Sequence, residues 1–123
     1  MRVNYAIVFV SDMKRSVSFY RDVLEIPLRF ESLEWTEFAS EGATVALHAS
    51  KGPNPDQSKQ KQTTAGRCQP GFCVPNLDDF HKRLIDKDVT CIQTPRETFG
   101  ARIAQYLDPD GLTISVSEER SDT

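Results

Sequence analysis

Apolar residues follow two different periods at the start of the chain. Residues 3–10, VNYAIVFV, are rich in β-branched and aromatic side chains, which predicts a strand. Because polar residues hardly alternate within this run, we expect both faces of the strand to be covered. Asp12 is suited to cap a helix, and apolar residues then recur at helical spacing, at Met13, Val17, Tyr20 and Leu24. The fold is therefore predicted to open with a strand and a helix that ends before Pro27.

Short β-rich segments come next, followed by a polar stretch. Strands are predicted at 28–32, 34–39 and 43–49, and Ser-Glu-Gly at 40–42 indicates a turn between the last two. Residues 51–66 contain no large apolar side chain and are dense in Lys, Gln, Pro and Gly. Such a segment cannot contribute to a core, so we predict a linker or mobile loop there.

The opening pattern returns in the second half of the chain. The segment CQPGFCV predicts a strand, Asn76 an N-cap, and LDDFHKRLIDKD a helix that turns Leu77, Phe80 and Leu84 inward. Further strands are predicted at 89–93, 101–107 and 112–117.

Two alignments relate the halves. Asp12 and Asn76 are 64 positions apart, whereas the turns ASEG at 39–42 and DPDG at 108–111 are 69 apart. This internal repeat predicts an α+β fold of two βαβββ modules. The modules span 1–50 and 67–120, and the linker 51–66 joins them within a single domain, 1–120.

Composition narrows the class of function. The chain has 123 residues, of which 38% are hydrophobic and 27% charged, as in ordinary globular proteins. A net charge of −3 without a block of Lys or Arg provides no field for nucleic acid. The apolar run before Asp12 is too short for a signal peptide or a membrane span. We therefore expect a cytoplasmic protein that handles a small organic molecule, with neither nucleic acid nor membrane as partner.

Cysteine and histidine are sparse. Cys68, Cys73 and Cys91 form no CxxC motif, and we expect buried free thiols rather than reactive ones. The two histidines, His48 and His81, are too few for a histidine-rich metal site. His81 lies in a charged helical stretch and is predicted to be a surface residue.

Three stretches together resemble the vicinal oxygen chelate superfamily, the glyoxalase/bleomycin-resistance/dioxygenase group. They are YAIVFVSDMKRSVSFYRDVLEIPL, VPNLDDFHKRL and YLDPDGLTISVSE, and the resemblance covers residues 3–118. It implies two βαβββ modules paired edge to edge, so that a curled mixed sheet forms an open cup for a ligand. It also implies a homodimer in which two chains complete each other's cups.

Members of that group that use a metal place one ligand on the first strand and one on the last strand of each module. The equivalent positions here are Tyr5 and Gln69, seven residues before the helix caps, and Ala46 and Ser115, four residues after the turn glycines. None of the four is a carboxylate or a histidine, so we expect no cofactor and no metal catalysis of the family type. A strand slip would make His48 a ligand; otherwise it is a polar residue at the rim of the cup.

The polar lining of the cup can be predicted from strand alternation. On the last strand Thr113, Ser115 and Ser117 share a face, and Gln69 shares one with Gly71 and Cys73. Tyr5 either lines the cup or belongs to the core. The predicted ligand-binding residues are Tyr5, His48, Gln69 and Ser115, and no catalytic residue is assigned.

Trp35 and Glu37 share a face of their strand, but two registers are open. In a hairpin with a two-residue loop Glu37 lies opposite Ala46 and faces the cup, whereas a bulge at Gly42 turns it outward. The sequence leaves both registers open; a surface carboxylate is the default expectation for Glu37, and no catalytic role is assigned to it.

Three functions are compatible with these patterns. The first is a metal-independent binding protein of the bleomycin-resistance type, for a small organic ligand. The second is a metal-dependent enzyme, either a lactoylglutathione-lyase-like isomerase or a ring-cleaving dioxygenase. The third is a module that serves only as a dimerising scaffold. The linker permits the modules to pair within one chain or to swap between chains.

Overall fold

The computed structural model describes residues 1–51, 65–98 and 100–119. The predicted linker, 51–66, therefore lies mostly outside the described residues. The chain divides within that segment into two compact units, which are described separately below.

The first unit contains one helix and a four-stranded sheet. Its elements are β1 (Tyr5–Val10), α1 (Met13–Ser18, continued by a π-helical turn over Phe19–Val23), β2 (Leu28–Phe30), β3 (Trp35–Phe38) and β4 (Thr44–Ala49). The strand order is β1-β4-β3-β2, with β1 and β4 parallel and the other neighbours antiparallel. This is the βαβββ module that the hydrophobic pattern predicts.

Helix α1 covers one face of this sheet. It begins at Asp12, whose Oδ1 accepts a hydrogen bond of 3.1 Å from the backbone N–H of Arg15. Tyr20 is fully buried, and its ring lies 6.0 Å from that of Phe38. The core between helix and sheet consists of Val8, Val10, Met13, Val17, Tyr20, Phe38, Val45 and Leu47.

The opposite face of β1 differs from the prediction. Tyr5, Ile7 and Phe9 are 46%, 47% and 64% exposed, so the expectation that both faces of this strand are covered is wrong. The alternation is between covered and exposed apolar residues rather than between apolar and polar ones. An apolar run of this kind therefore does not by itself report burial on both sides.

The second unit repeats this arrangement. Its elements are β5 (Gly71–Val74), α2 (Leu77–Asp86), β6 (Cys91–Thr98), β7 (Ala101–Leu107) and β8 (Thr113–Glu118), with the sheet order β5-β8-β7-β6. The parallel pair β5 and β8 places Gly71 beside Ser115, as β1 and β4 place Ile7 beside Ala46. These two pairs are related by the separations of 64 and 69, which confirms the internal repeat.

Helix α2 follows the predicted pattern with one correction. Asn76 Oδ1 accepts a hydrogen bond of 3.1 Å from the N–H of Asp79, and the inward residues Leu77, Phe80 and Leu84 are buried. His81, predicted to be a surface residue, is half-buried. Its Nδ1 lies 2.9 Å from the hydroxyl of the buried Tyr106, because the helix packs on the face of β7 that carries this ring.

The turn at DPDG forms as predicted, whereas the thiols are less buried than expected. The N–H of Gly111 donates to the carbonyl of Asp108 at 2.9 Å, which confirms the turn at DPDG. Cys68, Cys73 and Cys91 are free, but Cys68 and Cys73 are exposed and Cys91 is half-buried, so the expected burial is wrong.

None of the helices in the described ranges is long and apolar enough to cross a membrane.

Candidate functional site

The sheet of the first unit presents a largely aromatic surface opposite α1. Side chains alternate along a strand, so the neighbours of the core residues on β1, β3 and β4 share the other face. We call this surface the aromatic face; it consists of Tyr5, Ile7, Phe9, Trp35, Glu37, Ala46 and His48.

Three rings form a row across neighbouring strands of the aromatic face. His48 is in register with Phe9 on one side and with Trp35 on the other. The ring centroid of His48 lies 5.5 Å from that of Phe9 and 6.0 Å from that of Trp35. Tyr5 extends the row, with its ring 5.9 Å from Trp35 and edge-on to it. The structure thus brings the predicted residues Tyr5 and His48 to one surface, together with Phe9, which the sequence analysis missed.

Glu37 is held within the aromatic face. It pairs with Ala46, so the two-residue loop is the register that forms and the expectation of an outward carboxylate is wrong. Its side chain is 21% exposed, and its Oε2 accepts a hydrogen bond of 2.9 Å from the indole N–H of Trp35. Arg29 Nη1 lies 3.8 Å from Oε1 and donates to the hydroxyl of Thr44 at 3.1 Å. The indole donor is therefore engaged within the protein.

The hydrogen bonding of His48 fixes its tautomer. Nδ1 lies 2.7 Å from the carbonyl oxygen of Ala49. A carbonyl oxygen only accepts, so Nδ1 carries the hydrogen and Nε2 of the neutral ring carries a lone pair. The side chain is exposed, and its ring lies between those of Phe9 and Trp35.

The equivalent surface of the second unit is small and polar. Gln69 and Gln105 both donate side-chain hydrogen bonds to the hydroxyl of Ser115, at 3.0 and 3.1 Å. The structure thus brings together the predicted residues Gln69 and Ser115. It adds Gln105, which could have been found from its expected pairing with Ser115 across the β7–β8 hairpin. An open depression of about 340 Å³ beside this cluster is lined by Gly71, Phe72, Cys73, Ile103, Ser115 and Ser117.

The residues at the family's metal positions do not suit a divalent cation. In the first unit Ala46 is fully buried and offers only a methyl group beside the phenol of Tyr5. In the second unit Gln69 and Ser115 are hydrogen-bonded to each other. Across residues 1–51, 65–98 and 100–119, no three His, Cys, Asp or Glu side chains are placed to hold a metal ion together. The imidazole and carboxylate ligands that such sites use are missing from these positions.

Comparison with known proteins agrees with this architecture. Residues 2–116 match the model of the Glyoxalase/Bleomycin resistance protein/Dioxygenase superfamily. An uncharacterized protein, YraH, of Bacillus subtilis strain 168 is 27% identical over 117 residues, which cover 89% of this chain and 91% of that protein.

Two solved structures illustrate the range of relatives. A protein of unknown function from Agrobacterium tumefaciens strain C58 is 27% identical and superposes with a TM-score of 0.74 over 98% of this chain and 95% of that one. A lactoylglutathione lyase from Agrobacterium tumefaciens is 17% identical, with a TM-score of 0.68 over 94% and 92%. At that identity, the similarity to the lyase concerns the fold alone.

Proposed function

The chain belongs to the glyoxalase/bleomycin resistance protein/dioxygenase superfamily, and we propose that it binds a small organic molecule without a catalytic metal. The observation that carries this proposal is the row of rings on the aromatic face, formed by Phe9, His48, Trp35 and Tyr5. Exposed aromatic surface of this extent is costly in water and is typical of ligand-binding surfaces.

Each sheet, taken by itself, offers chemistry suited to a small organic ligand. The aromatic face offers ring surfaces beside the carboxylate of Glu37. The sheet of the second unit offers the amides of Gln69 and Gln105 around Ser115. Apolar walls with a few placed polar groups are the usual composition of small-molecule sites. The residues proposed to contact a ligand are Tyr5 and His48 in the first unit and Gln69 and Ser115 in the second.

A metal-dependent isomerase or dioxygenase has no comparable support. Ala46 provides no ligand atom, and Gln69 offers only a neutral amide oxygen, a weak ligand for a divalent cation. An enzyme of this kind needs a cation with open positions to stabilise charge on its substrate. We therefore propose binding alone, with no cofactor.

The test uses the only tryptophan of the chain as a reporter. Protein stripped of metal by chelation is titrated with a panel of planar aromatic compounds while the emission of Trp35 is followed. Saturable quenching that is unchanged by added Zn²⁺, Ni²⁺, Mn²⁺ or Fe²⁺, and weakened in a Phe9→Ala variant, is the expected result. About one metal per chain in the purified protein, lost on His48→Ala, would overturn the proposal.

A homodimer in the cytoplasm completes the proposal. The dimer is supported by the large apolar side chains that remain exposed on the described units, among them Val3, Leu33 and Ile92. Light scattering during size-exclusion chromatography should give about twice the chain mass of 13.9 kDa. A particle of 13.9 kDa at micromolar concentration would exclude the dimer.

A further inference from the structure

We infer that the ligand of the aromatic face carries a hydrogen-bond donor on its ring, and that Nε2 of His48 accepts this hydrogen bond. The inference rests on the proposed function and specifies the class of ligand. It follows from which polar atoms on this face are engaged within the protein and which are open to a ligand.

The one group of the ring row that donates without also accepting is engaged. The indole N–H of Trp35 donates to Glu37 Oε2 at 2.9 Å. Arg29 lies outside the row, where its Nη1 donates to Thr44 and faces the other oxygen of Glu37. On the row, a ligand that presents only acceptors, such as an aromatic carboxylate, would have to displace the Trp35 hydrogen bond and would lie beside a carboxylate.

One hydrogen-bond acceptor of the ring row, Nε2 of His48, is available to a ligand. The hydrogen bond from Nδ1 of His48 to the carbonyl of Ala49 leaves the lone pair on Nε2. The same bond holds the orientation of the imidazole ring, which also contacts Phe9 and Trp35. Nε2 therefore lies at a fixed place in the ring row, where an aromatic ligand would contact the neighbouring rings.

The other polar group of the row does not select between ligands. The hydroxyl of Tyr5 can both donate and accept, so it is compatible with either kind of ligand. Within the row, the preference therefore comes from His48; Oε1 of Glu37 is the other acceptor on the face, and the His48→Phe variant described below separates the two. Phenols and aromatic amines, which place an O–H or N–H in the plane of the ring, are the class that matches a ring row with one in-plane acceptor.

The experiment compares 2-naphthol with 2-methoxynaphthalene, which has the same ring system but no donor. Each is titrated into ¹⁵N-labelled protein, and the indole N–H signal of Trp35 is followed because it is the only one of its kind. One hydrogen bond should make 2-naphthol bind roughly fivefold more tightly. In a His48→Phe variant, which keeps a ring and loses the acceptor, the two affinities should become equal. Lys14→Ala, on the exposed side of α1, is the control and should preserve the fivefold ratio.

The outcomes separate this inference from the function on which it rests. Equal affinities in the unmodified protein, or a ratio that survives His48→Phe, would overturn the inference and leave aromatic binding intact. If neither compound moves the Trp35 signal, the aromatic face does not bind such rings, and both proposals fail.

Discussion

Arg102 on β7 and Asp78 in the first turn of α2 form a two-point ion pair, with contacts of 2.9 and 3.2 Å. The guanidinium also lies 3.4 Å from Glu118, whose Oε2 accepts the N–H of Leu77 at 3.0 Å. The start of the helix is thus connected to two strands of its sheet. Hydrogen bonding by Arg102 lowers the pKa of Asp78 below its ordinary value of 3.8.

The ion pair predicts a pH dependence of stability. A carboxyl whose pKa is lowered by folding contributes stability above its unfolded pKa and loses it as the pH falls through the folded value. We therefore expect the unmodified protein to melt slightly above an Asp78→Asn variant at pH 7, with the difference shrinking progressively as the pH falls below about 4. Asp79→Asn, in the same turn but without Arg102, is the control. An equal, pH-independent effect of both substitutions would refute this role for Arg102.

The hydrogen bond between Tyr106 and His81 predicts how removal of one hydroxyl group affects stability. Tyr106→Phe removes the hydroxyl bonded to His81 at 2.9 Å and should lower the free energy of unfolding by about 1 kcal/mol. By strand pairing, Phe38 opposite Val45 corresponds to Tyr106 opposite Ile114, so the first unit already has phenylalanine at this position. Chemical denaturation gives the measurement, and a loss above about 3 kcal/mol would indicate a packing change instead.

Tyr106 should also make the stability of the fold fall at alkaline pH. Burial raises the pKa of Tyr106 above its ordinary value of 10.0. Its contribution to stability is full below pH 10 and is lost as the pH rises further, because the unfolded chain releases the proton first. Tyr106→Phe should therefore flatten the fall in melting temperature above pH 10. An identical fall in the variant would show that other groups cause it.

The two turn glycines should respond differently to substitution. Gly111 has a φ of +83°, in the left-handed region, so Gly111→Ala should cost about 1 kcal/mol. Gly42, at the aligned turn, is outside that region, and a Cβ there meets no atom within 4 Å. Gly42→Ala should thus be neutral or slightly stabilising. Thermal unfolding of the two variants compares them directly, and equal losses would contradict the assignment.

The buried face of helix α2 provides a test of the core of the second unit. Leu84 is fully buried, whereas its neighbour Ile85 is 44% exposed. Leu84→Ala should cost about 2–5 kcal/mol and Ile85→Ala less than about 1 kcal/mol. Urea denaturation of both variants measures the difference. A larger loss at Ile85 would mean that its side chain is covered by another surface.

Much of this architecture follows from local patterns. The caps at Asp12 and Asn76, the helical spacing of the apolar residues and the turn at DPDG depend on neighbours within a few positions, so the sequence predicts them. The repeat of 64 and 69 positions predicts which positions of the two modules correspond. Tyr5 and His48 could be expected on one surface because strand alternation places His48 with Ala46, and the family resemblance places Ala46 with Tyr5.

The predictions fail where residues far apart in the sequence determine the burial or the orientation of a side chain. His81 is half-buried because a ring 25 positions further along the chain lies under it. The orientation of Glu37 depends on how one hairpin loop closes, although its partner Trp35, two positions earlier on the strand, shares its face in either register. Cys73 lies on a strand face that its residue type does not determine. Residue type and periodicity alone do not contain these relationships.

The π-helical turn at Phe19–Val23 determines how α1 responds to the deletion of one residue. Phe19 and Tyr20 are adjacent in sequence, and both are buried, with edge-to-face rings 5.3 Å apart. In a regular helix consecutive side chains point about 100° apart. A π-helical turn holds about one residue more than an α-helical turn, so removing one residue from it would restore regular hydrogen bonding and leave Leu24 nearly in its present orientation relative to Met13 and Val17. The same deletion earlier in α1 would rotate the following residues by about 100°. The widened turn is therefore the place in this helix where a residue can be lost without turning one end of the apolar stripe out of the core.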